Sequence, residues 1–310
     1  MSTQTVICDS NGELWILNMT GVGRGLFGGG NNGARVNTID YIAIATTGNA
    51  VDFGQLTVSR QGPSNMSSMT RGCWGGGYSG SSSNVIDYIT ISTTGNAASF
   101  GQLTVGRYYL AGCSNQTRGL SGGGYSSASV NTIDYITIAT IANATAFGYL
   151  TVARNSITSG FSSSTRGCFA GGDTGSNSNV IDYVTIASTG NALDFGDLAL
   201  ARYSATGFSS PTRGLVAGGT GDGATNSIEY VTIATVSNAS SFGALAAATN
   251  APGSTSSNIR GCISGGYSTT WTSVISYVTI ATTGNASAFG SLTVARTYPI
   301  GLSDIHGGLS

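Results

Sequence analysis

The chain has 310 residues, of which 48 are glycine and only 8% are charged. Its twelve basic residues are all arginine, its thirteen acidic residues nearly balance them, and the formal net charge is −1. This balance disfavours binding to nucleic acid, which needs a basic surface. The sequence contains no run of 18 apolar residues, so we expect no helix that inserts into a membrane.

Residues 1–19 are expected to form an N-terminal arm or a partial strand. They lack the basic region and apolar core of a secretory signal peptide, so we expect no such signal. This segment contains the apolar residues Trp15, Ile16 and Leu17. Because an exposed apolar edge favours binding to a partner protein, these three residues are the candidate assembly arm. The five cysteines of the chain are an odd number without a C-x-x-C pair, which argues against both a disulfide framework and a zinc site.

Residues 20–310 are expected to form a single domain built on one repeat. The dipeptide Arg-Gly occurs six times at intervals of 47 or 48 residues, followed each time by glycines and by segments similar to I-D-Y-x-T-I and F-G-x-L-T-V-x-R. Self-similarity at a fixed period predicts a repeat architecture. The copies lie near residues 20–59, 60–106, 107–153, 154–201, 202–248 and 249–295, with a final segment at 296–303.

Each copy contains the patterns of four short strands. Apolar residues alternate with a period of two, in runs rich in Ile, Val, Thr, Tyr and Phe that are bounded by Gly, Asn and Ser. The strands are predicted after L-T-V-x-R, around Arg-Gly, at I-D-Y-x-T-I and at F-G-x-L-T-V. Four strands in a repeat of this length match one propeller blade. The sequence therefore predicts an all-β fold, a six-bladed β-propeller with four-stranded antiparallel blades.

A closed propeller must join its two ends. The final segment contains Gly301-Leu302-Ser303, which matches Gly112-Cys113-Ser114 and Gly207-Phe208-Ser209 in the first strands of other copies. We therefore expect the C-terminal strand to close the ring by completing the first blade. The competing candidate is the segment from Glu13 to Thr20, which has the right offset but lacks the Gly-x-Ser pattern.

Charge follows the repeat so closely that it predicts a structural role. Six arginines belong to Arg-Gly, and five end the L-T-V-x-R segment, where Thr249 interrupts the series. Five copies carry an acid at one shared position, and Ser276 replaces the sixth. We expect the Arg-Gly guanidiniums to bond to these acids or to loop carbonyls within and between blades; the alternative is a ring of arginines that lines a channel mouth and binds an anion. These structural charges are Arg24, Arg71, Arg118, Arg166, Arg213 and Arg260 with Asp40, Asp87, Asp134, Asp182 and Glu229.

The repeat resembles the Kelch-type β-propeller blade, which is also that of the galactose-oxidase central domain. In the third copy the residues that carry the resemblance are Arg107, Gly122, Gly123, Asp134, Tyr135, Phe147 and Arg154. The resemblance covers residues 24–303 and departs from the family at the usual fourth-strand Trp, which is Phe in all six copies. The segment Gly-Asn-Ala-x-x-Phe-Gly-x-Leu-Thr-Val-x-Arg is also similar to Kelch-like proteins of marine bacteriophages, including cyanophages.

Groups that could catalyse a reaction are scarce. His306 is the one histidine and lysine is absent, so we expect no Ser-His-Asp triad, lysine nucleophile or copper site. We therefore expect no enzyme, no cofactor and no metal. The loops after the glycine clusters place aromatic rings among small polar residues, a mixture that suits sugars; the alternative is that these loops only keep the protein soluble. The candidate ligand or partner residues are Tyr78, Tyr125, Tyr267 and Trp271.

Together with the bacteriophage resemblance, these features predict a non-enzymatic virion structural protein, a tail, fibre or head-associated propeller that acts in assembly or host adhesion. A β-rich, lysine-free and proline-poor chain without a secretion signal suits a particle that assembles in the host cytoplasm and leaves by lysis. The expected partners are other virion proteins and a host surface glycan, within an oligomer or larger assembly. The alternative is a carbohydrate-binding, lectin-type β-propeller.

Overall fold

The computed structural model describes residues 23–309, together with the backbone of two earlier strands. These are β1 (Thr5–Cys8) and β2 (Leu14–Leu17), which pair antiparallel with each other. The side chains of Trp15, Ile16 and Leu17, the expected assembly arm, lie outside the described residues.

Six four-stranded antiparallel sheets follow and form the blades of a β-propeller. From hub to rim, blade 1 contains β26 (Ile300–Ser303), β3 (Arg24–Gly28), β4 (Thr38–Ala43) and β5 (Val51–Gln55). Blade 2 contains β6 (Ser64–Ser67), β7 (Arg71–Gly75), β8 (Val85–Thr90) and β9 (Ala98–Gln102). Blade 3 contains β10 (Ala111–Ser114), β11 (Arg118–Gly122), β12 (Thr132–Thr137) and β13 (Thr145–Tyr149).

The remaining three blades repeat this order. Blade 4 contains β14 (Ser159–Ser162), β15 (Arg166–Ala170), β16 (Val180–Thr185) and β17 (Leu193–Asp197). Blade 5 contains β18 (Thr206–Ser209), β19 (Arg213–Ala217), β20 (Ser227–Thr232) and β21 (Ser240–Ala244). Blade 6 contains β22 (Gly253–Ser256), β23 (Arg260–Ser264), β24 (Val274–Thr279) and β25 (Ser287–Ser291). One 3-10 turn, η1 (Gly307–Leu309), ends the described chain.

The rim strands are shorter at their ends than the sequence predicts. The sequence pattern predicts a fourth strand that continues through L-T-V, but in blade 3 this strand ends at Tyr149, before Leu150. The chain turns here because Thr151 reaches the next blade, where its main-chain N–H and its hydroxyl both donate to the Asp182 carboxylate. The Thr-Val-x-Arg residues are therefore a connection between blades and not part of a strand.

The apolar core lies between the blades and consists of six clusters, one at each blade interface. At the interface of blades 3 and 4, for example, Leu120 and Phe147 pack with Phe169 and Ile186. Burial of these rings and branched side chains is the main source of stability for the ring. The thiols of Cys73, Cys168 and Cys262 are buried and unbridged, one in the second strand of every other blade.

The C-terminal strand closes the ring, as the sequence predicts. Strand β26 pairs antiparallel with β3, with Leu302 opposite Leu26, so the competing segment at Glu13–Thr20 does not occupy the hub of blade 1. Closure extends to a continuous ring of serines, in which each hydroxyl donates to the main-chain oxygen of the serine one blade earlier, at 2.6–2.9 Å. The six members are Ser67, Ser114, Ser162, Ser209, Ser256 and Ser303.

The central channel is nearly filled. The hub strands approach so closely that a Cβ at Gly112 would lie 1.9 Å from the main-chain oxygen of Asn65, and the remaining cavity is about 40 Å³. Because neighbouring strands alternate in direction, the loops that join second to third strands lie on the same face of the disc as the connections between blades. We call this the upper face. The C-terminal residues leave the opposite, lower face and cross the channel end, where His306 Nε2 lies 3.3 Å from Ser114 Oγ.

Candidate binding face

At five of the six junctions, a buried ion pair fixes the connection between two blades to the blade that follows it. At the junction of blades 2 and 3, Arg107 Nη1 lies 2.9 Å from Asp134 Oδ2, and both side chains are fully buried. The same carboxylate accepts hydrogen bonds from the Thr104 main-chain N–H at 3.2 Å and from its hydroxyl at 2.6 Å. We call each such Arg–acid pair a clasp. The clasps are Arg60–Asp87, Arg107–Asp134, Arg154–Asp182, Arg202–Glu229 and Arg296–Asp40.

The clasp keeps a charged group inside the protein. Burial lowers the pKa of the Arg107 guanidinium, and the adjacent Asp134 carboxylate opposes that shift. Arg107 also donates to the main-chain oxygen of Ser121 at 2.9 Å. A buried charge without partners is strongly unfavourable. Removal of either member of a clasp would therefore leave the other member as an unpaired buried charge and destabilise the folded protein.

The Arg-Gly arginines have different partners. The Arg118 guanidinium lies 4.7 Å from the centre of the Tyr135 ring and donates to the main-chain oxygen of Ala187, in the next blade, at 2.7 Å. The prediction that loop carbonyls are partners of the Arg-Gly arginines is thus confirmed. The prediction that these arginines bond to the repeat acids is wrong, because the clasp arginines bind those acids. The position of these guanidiniums on tyrosine rings of their own blades also argues against the alternative of an anion-binding ring, and the described residues that line the channel include no arginine. The same stacking recurs at Arg24, Arg71, Arg166, Arg213 and Arg260.

On the upper face, the chain makes an unusual turn just after each clasp position. The second residue of each turn has a left-handed backbone, with φ between 51° and 60°. This conformation is unfavourable for residues other than glycine, and hydrogen bonds between adjacent turns hold it, as when the Tyr298 N–H donates to the Ala251 oxygen at 2.8 Å. The six residues are Gly62, Tyr109, Ser156, Ser204, Ala251 and Tyr298.

These turns and the neighbouring loops bring five tyrosines into continuous contact. Tyr108 is the centre of the group, with ring-centre distances of 5.0 Å to Tyr78, 5.0 Å to Tyr109 and 5.4 Å to Tyr125. Tyr109 in turn lies 4.7 Å from Tyr298, at the mouth of the channel. We call these five residues the tyrosine patch. It extends across the upper face from the loops of blades 2 and 3 to the hub.

Polar and charged groups surround the tyrosine patch. Gln61 Nε2 donates to the Tyr109 hydroxyl, and the Tyr298 hydroxyl lies 2.7 Å from Ser204 Oγ. Arg35, the one arginine outside the repeat, is exposed, with its guanidinium 5.2 Å from the centre of the Tyr78 ring. The patch therefore combines aromatic surface, hydrogen-bonding groups and one cation.

Burial favours the neutral form of three of the patch hydroxyls. It raises the pKa of Tyr298, Tyr109 and Tyr108, and in Tyr298 the neighbouring Tyr109 adds to the effect. At physiological pH these residues are therefore phenols that donate hydrogen bonds, and they are poor general bases. This chemistry suits recognition of a ligand better than proton transfer.

The four aromatic residues predicted from the sequence fall into two groups. Tyr78 and Tyr125 belong to the patch, although they meet only through Tyr108. Tyr267 and Trp271 form a separate pair in blade 6, with ring centres 6.3 Å apart and exposed fractions of 41% and 44%. The structure brings the members of each group together and does not bring the two groups into contact through their rings.

Sequence analysis missed three residues of the patch. Tyr108, Tyr109 and Tyr298 lie one or two residues after clasp arginines, in the segments R-Y-Y and R-T-Y. The sequence pattern predicts that these segments begin a hub strand, but in the structure they precede it and form the turn on the upper face. Their departure from the small residues at most equivalent positions was the available signal.

Within residues 23–309, no group of three or more His, Cys, Asp or Glu could hold a metal ion. The same residues include no helix that is long and apolar enough to cross a membrane. The upper face presents an aromatic surface bordered by hydrogen-bonding groups and one cation. No model of a known protein family matches the sequence, and no curated protein matches it.

Proposed function

We propose that this protein is a non-enzymatic virion structural protein of a bacteriophage, a Kelch-type propeller in the tail, a fibre or the head that serves as an assembly or host-adhesion module. The observation that carries the proposal is the tyrosine patch on a closed and internally clasped disc. Aromatic side chains dominate binding surfaces because they bury a large area at a small cost in conformational entropy. The partners are other virion proteins or a host surface glycan.

Three features support a scaffold role over a catalytic one. Five of the acids that the repeat provides are committed to clasps, so their carboxylates hold blades together. His306, the one histidine of the sequence, contacts a serine of the hub ring, Ser114, and so helps to cover the channel end. The hydroxyls of Tyr108, Tyr109 and Tyr298 have raised pKa values and favour hydrogen-bond donation. The bacteriophage origin rests on the resemblance of the repeat, and assembly in the host cytoplasm follows from it.

Purified particles provide the test. A tagged copy of the protein should co-purify with particles at a fixed copy number, and cross-links should involve Tyr78, Tyr108 or Tyr125. The control is Tyr149, which is 54% exposed on the rim of blade 3 and outside the patch. A protein that stays in the soluble lysate while the particles assemble without it would overturn the virion assignment.

A lectin-type propeller is the second candidate, favoured by the amides beside the patch. Gln61 contacts Tyr109, and Asn155 Nδ2 donates to Ser129 Oγ at 2.9 Å in the adjacent blade. Amides and aromatic rings together match the hydroxyls and CH faces of sugars. The isolated full-length protein should then bind on a glycan array, Tyr108→Ser should abolish that binding, and the matched Tyr149→Ser variant should retain it. An array without signal removes this candidate and leaves the virion role intact.

A further inference from the structure

The junction between blades 5 and 6 lacks a clasp. Thr249 takes the place of the arginine, and Ser276 takes the place of the acid. The one missing arginine and the one missing acid of the repeat therefore belong to the same Arg–acid pair of positions. Ala246 also stands where most junctions have the threonine that bonds to the acid, so the polar members of this clasp are lost together.

The loss leaves a cavity of about 230 Å³ between the two blades. Its walls come from the connection after β21, the loop after β23 and the outer strands of blade 6. Ser276 is partly exposed, whereas the acids of the clasps are buried, and Val274 at the edge is 57% exposed, so the cavity is open to solvent. Most of the lining is apolar or small, including Leu245, Ala246, Ile263, Val274, Ala286 and Ala288.

A specific acceptor lies at this site. In each clasp, the arginine donates to the main-chain oxygen of the residue paired with the acid, as Arg107 does to Ser121 at 2.9 Å. The corresponding oxygen in blade 6 belongs to Ile263, which is paired with Ser276. Thr249 brings no guanidinium to it, and the Thr249 hydroxyl donates instead to the Ala247 oxygen at 3.0 Å.

Charge and volume define the ligand that fits. A cation would lack the carboxylate that accompanies it in the five clasps, and an anion would lack the arginine, so a charged ligand would have no countercharge from either clasp position. An apolar cavity of about 150 Å³ is large enough to bind benzene. We propose that the gap between blades 5 and 6 is a binding site for a small uncharged molecule with an apolar ring and one hydrogen-bond donor.

Phenol titration of the full-length protein tests this inference. Saturable binding should be seen by NMR, with the largest shift changes at Thr249, Ile263 and Ser276. Benzoate and benzylamine should each bind at least about tenfold more weakly, because neither charge is compensated. Absence of saturable phenol binding, or equal binding of the charged analogues, would overturn the proposal.

Variants that fill the gap give the second part of the test. The double variant Thr249→Arg/Ser276→Asp rebuilds a clasp in the cavity and should lose phenol binding by at least about tenfold. Ser276→Leu fills the same space without charge and should also lose it, which keeps the test valid if the double variant does not fold. Ser276→Ala is the matched control, preserves the space and should bind phenol. Undiminished binding in a folded, filled variant would contradict the assignment. None of these outcomes depends on the virion role.

Discussion

Arg107 and Tyr108 are consecutive residues with opposite environments. Arg107 is completely buried in a clasp that recurs at five of six junctions, whereas Tyr108 is partly exposed in a patch to which the blades contribute unequally. Arg107 has fixed partners, since Asp134 and the Ser121 main-chain oxygen belong to strands of the blade that it enters. The turn directly after the clasp position keeps the same backbone conformation in every blade, while its side chains differ from blade to blade. The comparison indicates that the repeat fixes the frame of the ring, while the side chains of the upper-face turns and loops differ between blades.

The largest change in the frame should come from opening the ring. A chain shortened to residues 1–297 lacks β26, and with it the hub strand of blade 1 and the Ser303 links on both sides. We expect it to lose the cooperative unfolding transition, measured by circular dichroism in denaturant. A chain of residues 1–304 keeps the closing strand and should unfold cooperatively. Similar behaviour of the two would show that closure is not essential.

The next largest effect should distinguish the two arginine series. Asp134→Ala leaves Arg107 buried without its carboxylate and should lower the free energy of unfolding by about 3–5 kcal/mol. Arg118→Ala removes a stacking contact and exposed hydrogen bonds and should cost about 1–2 kcal/mol. Equilibrium unfolding in denaturant measures both. Equal losses would mean that the clasp is no more important to the frame than the outer arginines.

A smaller effect should depend on pH and on the C-terminal tail. Burial lowers the pKa of His306 to about 4, below the 6.5 of an unfolded histidine. Between these values the unfolded state binds more protons, so stability should fall as the pH drops from about 6.5 towards 4. His306→Gln should remove this part of the dependence, as judged from denaturation midpoints at pH 7.5 and 4.5. An identical pH response in the variant would exclude His306 as its source.

Removal of one link from the serine ring should cost less. Ser209→Ala deletes the hydroxyl that donates to the Ser162 oxygen at 2.7 Å, and we expect a loss of about 1 kcal/mol. Ser188→Ala, on an exposed turn, is the control and should be neutral. If the two variants have the same unfolding free energy, the ring is a consequence of the fold and not a contributor to it.

The smallest effect on stability should come from the tyrosine patch. Tyr108→Ser removes ring contacts on the surface and should change the unfolding free energy by less than about 1 kcal/mol. It should nevertheless lose attachment to the partner, measured by particle incorporation or glycan binding. A loss of stability as large as that of Asp134→Ala would place Tyr108 in the frame and erase the distinction between the two regions.

The repeat was sufficient to predict the six blades, the four strands in each and the closing strand. The clasp pairing was not predictable in the same way, because the arginine lies on the connection that enters the blade and not on a strand: Arg60 bonds to Asp87, which is 27 residues away. Within one blade the strand register places Arg71 opposite Thr90 and Asp87 opposite Trp74, so the apparent pair in the repeat is separated along the sheet. Periodicity reveals which residues recur and does not reveal which neighbours they meet.

The binding face was only half predictable for a related reason. Tyr78 and Tyr125 lie in loops that vary between copies, and variation was a usable signal. Tyr109 is placed at the channel mouth by a left-handed backbone with φ of 55°, which no alternation of apolar residues encodes. Its contact with Tyr298 also joins positions far apart in the sequence, which meet because the ring closes.

The most direct measurement is a structure of the protein in contact with its partner, in the native particle or on a receptor. The account predicts that the partner covers the upper face and buries Tyr78, Tyr108 and Tyr125. A partner that binds the lower face, around the tail at His306, and leaves the tyrosine patch open to solvent would contradict it.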